Sequence, residues 1–236
     1  MPSSPLEKKD EQAGSAGSVK RWSIDGKAPV KIGAFSRGGL TRGANQASDH
    51  AMGCKEKEVP CGIVDEESAE LTLTLGSSAK TRDVIVDVLE AKWDALDEGE
   101  KAVTSLIQIT MDNGPESRGR RTQFLHRMVQ LADAIHKPMQ RLYSPPSHST
   151  YHPIERCWGI LELHGNGPKL IDAETMVEWA KRMTWKGLHP VVELSHKGYQ
   201  KGIALGKAAM QAVEARWERH PVLPKYDILI NPVPTP

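Results

Sequence analysis

The sequence is short of cysteine, of net charge and of long apolar runs, and each shortage excludes something. Three cysteines in 236 residues (Cys54, Cys61 and Cys157) form a sparse, odd-numbered set. That excludes a scaffold built on disulfides and suits a reducing, cytoplasmic setting. A zinc site needs ligands at recognisable spacing. His50, Cys54 and Cys61 follow no such pattern and have no fourth ligand nearby, so they read as ordinary core or surface side chains. No apolar run approaches the roughly 18 residues of a membrane-spanning helix, and the N-terminus lacks the apolar core of a signal peptide. Lys and Arg (31) nearly balance Asp and Glu (30). A protein of this balance that acts on nucleic acid must gather its cations locally. What remains is an ordinary globular composition, long enough for one large domain or one domain with appendages.

The most informative stretch is Ser105–Gly159. The apolar run Leu106–Met111 reads as a buried strand, and Asp112-Asn113-Gly114 breaks it. Asn and Gly supply the turn, which leaves the Asp112 carboxylate at the C-terminal mouth of that strand. Glu155 lies two residues after Pro153. Proline is favoured in the first turn of a helix, so Glu155 is expected near a helix start. Two carboxylates brought together from distant elements repel unless a cation lies between them. Hard oxygen donors of this kind suit Mg²⁺ or Mn²⁺, and paired metals on carboxylates serve in-line phosphoryl displacement.

The rest of the chain supplies the elements around this stretch. Met1–Ser18, rich in Ser, Gly, Ala, Lys and Glu, reads as disordered. Val19–Asp25 and Ala28–Phe35 alternate apolar and polar residues around Gly26-Lys27 and read as a hairpin. Ser36–Gly43 is Gly-rich and basic. It is either a phosphate-contacting loop through Arg37 and Arg42 or a plain hairpin tip. Val59–Asp65 and Glu70–Leu75 read as strands. Thr81–Leu96 has helical periodicity with Thr81 as N-cap, and Asp83 and Asp87 are expected on its solvated face. Arg118–Ile135 is a basic amphipathic helix. Its cations (Arg118, Arg120, Arg121, His126, Arg127) mark either a DNA-backbone contact or a solvated face. Met139–Tyr143 reads as a strand. Helices follow from Ile154, at Ala173–Met183 and at Tyr199–Trp217, with their Trp and Met stripes assigned to the core. Leu223–Pro236 reads as a Pro-rich tail.

Two long motifs carry a resemblance. Met111-Asp112-Asn113-Gly114-Pro115-Glu116 is followed by Pro145-Pro146-x-His148-Ser149-x-Tyr151-x-Pro153-Ile154-Glu155-Arg156-x-Trp158. In this order and separation they resemble the DDE catalytic core of ISAzo-type insertion-sequence transposases, over about Val19 to Pro232. The family's Asn-Pro-Ile-Glu stands here as His152-Pro153-Ile154-Glu155, which leaves the glutamate in place. The resemblance implies an RNase H-like α/β fold, a mixed sheet flanked by helices with a helical C-terminal extension. It implies three acids on adjacent strand ends and an apposed helix. Asp112 and Glu155 are two of them, and Asp25, in Ile24-Asp25-Gly26-Lys27, is the first, with Asp49 and Asp65 as alternatives.

Together the acids would hold two Mg²⁺ (or Mn²⁺) ions and catalyse strand cleavage at transposon ends and strand transfer into target DNA. Asn113, His148 and Arg156 are then DNA contacts or support the acids, and Arg37, Arg42, Arg120 and Arg121 are further candidate DNA contacts. The expected organisation is a segment at 1–18, a catalytic domain at 19–165, a helical part packed on it at 166–222 and a tail at 223–236. Only about 18 residues precede the first strand, too few for the DNA-end-binding module of a transposase. A truncated or split transposase is therefore expected, acting as a homo-oligomer or with a partner that supplies DNA binding, and with no membrane association. The alternatives are a non-catalytic remnant that oligomerises with intact transposase and another RNase H-like nuclease.

Overall fold

The computed structural model describes residues 18–38, 47, 55–76, 82–112, 121–143, 152–198 and 206–234. Among these, nine strands form one mixed sheet. They are β1 (Ser18–Gly26), β2 (Val30–Lys31), β3 (Lys57–Asp65), β4 (Leu71–Gly76), β5 (Thr104–Met111), β6 (Met139–Tyr143), β7 (Val191–Ser195), β8 (Trp217–Arg219) and β9 (Asp227–Ile230). The order across the sheet is β7-β4-β3-β1-β5-β6-β9-β8, with β2 on β3. The helices are α1 (Arg82–Asp94), α2 (Glu98–Val103), α3 (Arg121–Ile135), α4 (Pro153–His164), α5 (Ala173–Ala180) and α6 (Lys207–Glu214).

Strand alternation sorts side chains onto two faces. On one face Trp22, Ile24, Ile63, Ile107, Ile109 and Met111 pack under Val86 and Leu89 of α1 and Phe124, Leu125 and Met128 of α3. On the other, Val64, Leu71, Leu73 and Leu75 pack under Ile154, Trp158 and Leu161 of α4 and Met176 and Ala180 of α5. The mixed sheet with helices on both faces is the expected α/β arrangement, with β1 and β5 as parallel neighbours at its centre.

Helix α4 forms without a side-chain N-cap, since His152 makes no capping bond. A lost cap costs about 1 kcal/mol. Burying Ile154, Trp158 and Leu161 on one stripe is worth on the order of 1.5–3 kcal/mol each, so packing outweighs the missing cap. Pro153 presets the first turn.

Five expectations need correction. The hairpin at Val19–Phe35 does not form: β1 pairs with β3 and β5, and Val30–Lys31 pairs with the outer end of β3. Both edges of β1 are taken, so the segment after it has no free edge there. The helix α2, capped by Asp97 accepting from the Glu100 amide at 2.7 Å, was not expected before β5. The expected long helix at Tyr199–Trp217 is α6 alone within the described residues, and Trp217 opens β8. The expected tail holds β9, which pairs antiparallel with β6 and buries Ile228 and Ile230.

Asp83 and Asp87 are not solvated. Asp87 pairs with Arg127 at 2.6 Å, and Gln123 donates to Asp83 at 3.0 Å, so both acids staple α1 to α3. Arg127 is thereby committed to this contact. The N-cap expected at Thr81 lies outside the described residues.

Glu58 is buried on β3. Burial pushes its carboxyl above the usual range; His196 opposes this, and Glu174 and Glu56 add to it. Its folded form therefore favours the proton, so stability falls as pH rises from the unfolded value through the raised folded value. Glu58→Gln is expected to raise the melting temperature at pH 8 and to change it little at pH 3.5. Thermal melts at the two pH values check this, and equal shifts at both contradict it.

Candidate active site

The site begins with the register of two parallel strands. Ile24 on β1 lies opposite Met111, the last residue of β5, and Asp25 and Asp112 are the next residues of the two chain segments. Ile24 and Met111 face α1 and α3. By alternation, Asp25 turns to the opposite face, the one that α4 covers, and Asp112 directly follows the end of β5. Asp25 is half-buried and Asp112 is exposed.

Helix α4 meets this face through its first turns. The Ile154 amide donates to the Ser23 hydroxyl at 3.4 Å, and the Trp158 indole N–H donates to Asp25 Oδ2 at 3.0 Å. Glu155 lies between these anchors in the first turn, its side chain 42% exposed. The start of a helix is electrostatically favourable for a carboxylate. Buried His152 places Nδ1 3.3 Å from Glu155 Oε1, and its Nε2 has no partner among the described residues. Helix α4 thus carries Glu155 in its first turn and reaches Asp25 through Trp158.

The close approach of α4 depends on Gly62, which lies opposite Asp25 on β3. A Cβ there would stand 2.7 Å from Ile154 Cδ1 and 2.8 Å from Trp158 Cη2. The Cys157 thiol, buried on the same helix, donates to the Pro153 carbonyl at 3.5 Å. Burial pushes its pKa up to about 12, against the opposing pull of Arg156. It is a packing thiol rather than a nucleophile.

The donor chemistry of Asp25, Asp112 and Glu155 fits a hard divalent cation, since all three offer carboxylate oxygens. Among the described residues, however, no three His, Cys, Asp or Glu side chains form a cluster able to hold a metal. Asp25 leans on Trp158 and Glu155 on His152. Asp25 and Glu155 are thus each held by a different neighbour.

The alternative first acid, Asp65, lies across from Trp22, on the α1–α3 face. Its Oδ2 accepts from the Trp22 indole at 3.3 Å, and its Oδ1 accepts from the Glu67 and Ser68 amides. That is a turn residue. Asp49 lies outside the described residues, as do Arg42, Asn113, Arg120 and His148 and the side chain of Arg121. Arg156 is exposed on α4. Arg37 donates to the Lys31 carbonyl and stacks 4.6 Å above the Phe35 ring. Cys61 is buried in the core, and His50 and Cys54 lie outside the described residues.

Sequence reasoning assigned Trp158 to packing alone and gave Gly62 no role. The available signal for Trp158 was its i+3 spacing from Glu155, which puts both on one helix face.

The family model of the Rhodopirellula transposase DDE domain matches residues 5–232. No curated protein matches the chain. Among solved structures, it is similar to a chain in the cryo-EM structure of the simian T-cell lymphotropic virus intasome in complex with PP2A regulatory subunit B56 gamma. The identity is 15% and the TM-score 0.42, with 75% of this chain and 56% of that chain covered. The chain thus spans little more than half the length of that neighbour.

Proposed function

Since the chain belongs to the transposase DDE domain family along nearly its whole length, we propose that Asp25, Asp112 and Glu155 are its catalytic acids. The reaction is phosphoryl transfer on DNA: strand cleavage at the ends of a mobile element, then joining of the freed 3′ end to target DNA. The observation that supports this reading is the parallel pairing of β1 and β5 up to Ile24 and Met111, with Asp25 and Asp112 next in sequence, and the placing of Glu155 in the first turn of α4. These three residues would hold divalent cations, Mg²⁺ or Mn²⁺, which would supply Lewis-acid activation of the nucleophile and charge stabilisation at the leaving oxygen.

The chain's own residues position the acids. Trp158 donates to Asp25 Oδ2, which leaves Oδ1 without a hydrogen-bond donor among the described residues, and His152 steers Glu155. Asn113, His148 and Arg156 contact DNA near the acids, and Arg42, Arg120 and Arg121 add phosphate contacts. The partners are transposon ends and target DNA, engaged by a homo-oligomer or with a second protein that recognises the ends.

The test is cleavage of DNA carrying the element's ends by the purified chain, in Mg²⁺, Mn²⁺ or EDTA, beside calorimetric metal titration. Cleavage in either metal and none in EDTA is expected. Neither cleavage nor metal binding would sink the proposal.

Trp158→Phe keeps the ring in its packing site and deletes the donor to Asp25. A hydrogen bond to a charged group is worth about 1.5–3 kcal/mol, and part of that loss falls on the orientation of Asp25. Metal affinity is expected to drop about three- to tenfold by calorimetry, with the fold retained. An unchanged affinity would assign the indole to packing alone.

A further inference from the structure

A groove of about 880 Å³, with Lys27 in its wall, lies between the β1–β2 connection and the C-terminal half of α4. Its walls include Lys27, Lys31, Phe35, Arg37, Glu162 and Trp179. We propose that this groove seats the phosphodiester backbone of the DNA strand whose scissile phosphate lies at the acids. The inference rests on the catalytic reading above and adds to it the path of the substrate.

Charge and continuity carry the argument. The lining holds three cations and one carboxylate, Glu162, which bonds to Lys27. The groove therefore keeps a net positive charge, although the whole chain is nearly neutral. This is the local concentration that a polyanion requires. The Lys31 ammonium is exposed and pairs with no carboxylate among the described residues.

Arg37 is pre-organised by its stack on Phe35 and its bond to the Lys31 carbonyl. A guanidinium held in this way loses little freedom when it binds phosphate. One wall residue, Lys27, links the groove to the candidate site. Lys27 follows Asp25 by two residues, and its ammonium stands 5.9 Å from the ring of Trp158, the indole that donates to Asp25. Lys31 follows Lys27 by four positions, a reach of at most about 14 Å. That reach spans successive phosphates of one strand. The three cations all come from the wall formed by residues 27–37, and the one carboxylate, Glu162, comes from α4.

The test is fluorescence anisotropy with labelled DNA in EDTA over a salt series, which reads binding without the metal-dependent chemistry. The variants are Lys31→Glu and Arg37→Gln, singly and together. Lys101→Glu on α2, whose lysine pairs with Glu98 at 3.0 Å, is the control. The double variant is expected to bind about tenfold more weakly at low salt. Its salt slope should fall by about two units, one for each lost phosphate contact, while the control matches wild type. Equal affinity and equal slope for wild type and the double variant would overturn the proposal, as would wild type that binds no DNA. Metal titration separates the two readings. Intact metal binding with an insensitive groove removes the path and leaves the acids standing. A sensitive groove without metal binding removes the chemistry and leaves the path.

Discussion

Asp25→Asn is expected to abolish metal-dependent DNA cleavage, lowering the rate by at least about a thousandfold, while the protein melts at nearly the wild-type temperature. The separation of these outcomes follows from where the residue sits. Asp25 ends a central strand, and its Oδ2 accepts from the Trp158 indole at 3.0 Å. Asparagine is isosteric, and its carbonyl oxygen takes over that bond. The amide NH₂ then stands where the free carboxylate oxygen was, a donor facing a cation. The loss therefore falls on metal binding and transition-state charge rather than on folding. A thousandfold corresponds to roughly 4 kcal/mol, in the range of the several kcal/mol that a metal contributes to phosphoryl transfer.

Asp65 is the contrasting control. It accepts two backbone amides and the Trp22 indole. Asp65→Ala leaves those donors unsatisfied and is expected to cost about 1–3 kcal/mol of stability. Metal affinity in the surviving folded protein should not change. Cleavage that survives Asp25→Asn, or metal binding lost in Asp65→Ala, would exchange the roles of the two acids. Rates, melts and calorimetry on the same preparations decide it.

The parts of this site that were legible in the sequence are those governed by local rules. Asp112 follows an apolar run that can only be a buried strand, and a turn begins at once after it. Glu155 follows a proline that starts a helix. The period-two pattern of Val19–Asp25 and the apolar run before Asp112 place two strand ends, and the motif resemblance joins them to Glu155.

What stayed hidden depends on which strand finds which edge. Val30–Lys31 looks like the return strand of a hairpin, but β3 and β5 already hold both edges of β1. Ile228 and Ile230 lie among prolines and read as a tail until the exposed edge of β6 claims them. Asp83 and Asp87 fall on a polar helix face in any periodicity plot, and Arg127 of another helix reaches that face. The two supports of the site were hidden for the same reason. Trp158 looks like one more core aromatic, and Gly62 looks like a weakness in a strand. Their roles emerge only when α4 lies on β1 and β3.

That contact sets the second large effect. Gly62→Val is expected to lower stability by roughly 1–3 kcal/mol and cleavage by about a hundredfold, with the rate measured well below the melting temperature. Even the first added atom, Cβ, meets Ile154 Cδ1 at 2.7 Å, Trp158 Cη2 at 2.8 Å and Leu73 Cδ2 at 3.1 Å. The isoleucine tip can turn aside, but the indole is rigid and is tied to Asp25. The helix must therefore lift or tilt. Overpacking of this kind costs about 1–3 kcal/mol. Displacing α4 by about 1 Å breaks the bond from Trp158 to Asp25 and carries Glu155 away from the strand ends, and a misplacement of that size costs about a hundredfold in rate. Gly62→Ala makes the milder version of the same clash. Adding Ile154→Val, which removes Cδ1, should return part of both stability and rate. If Gly62→Val loses stability but cleaves at the wild-type rate, the seating of α4 does not govern the acids. If the pair Gly62→Ala and Ile154→Val shows no recovery, the indole alone sets the distance between helix and sheet.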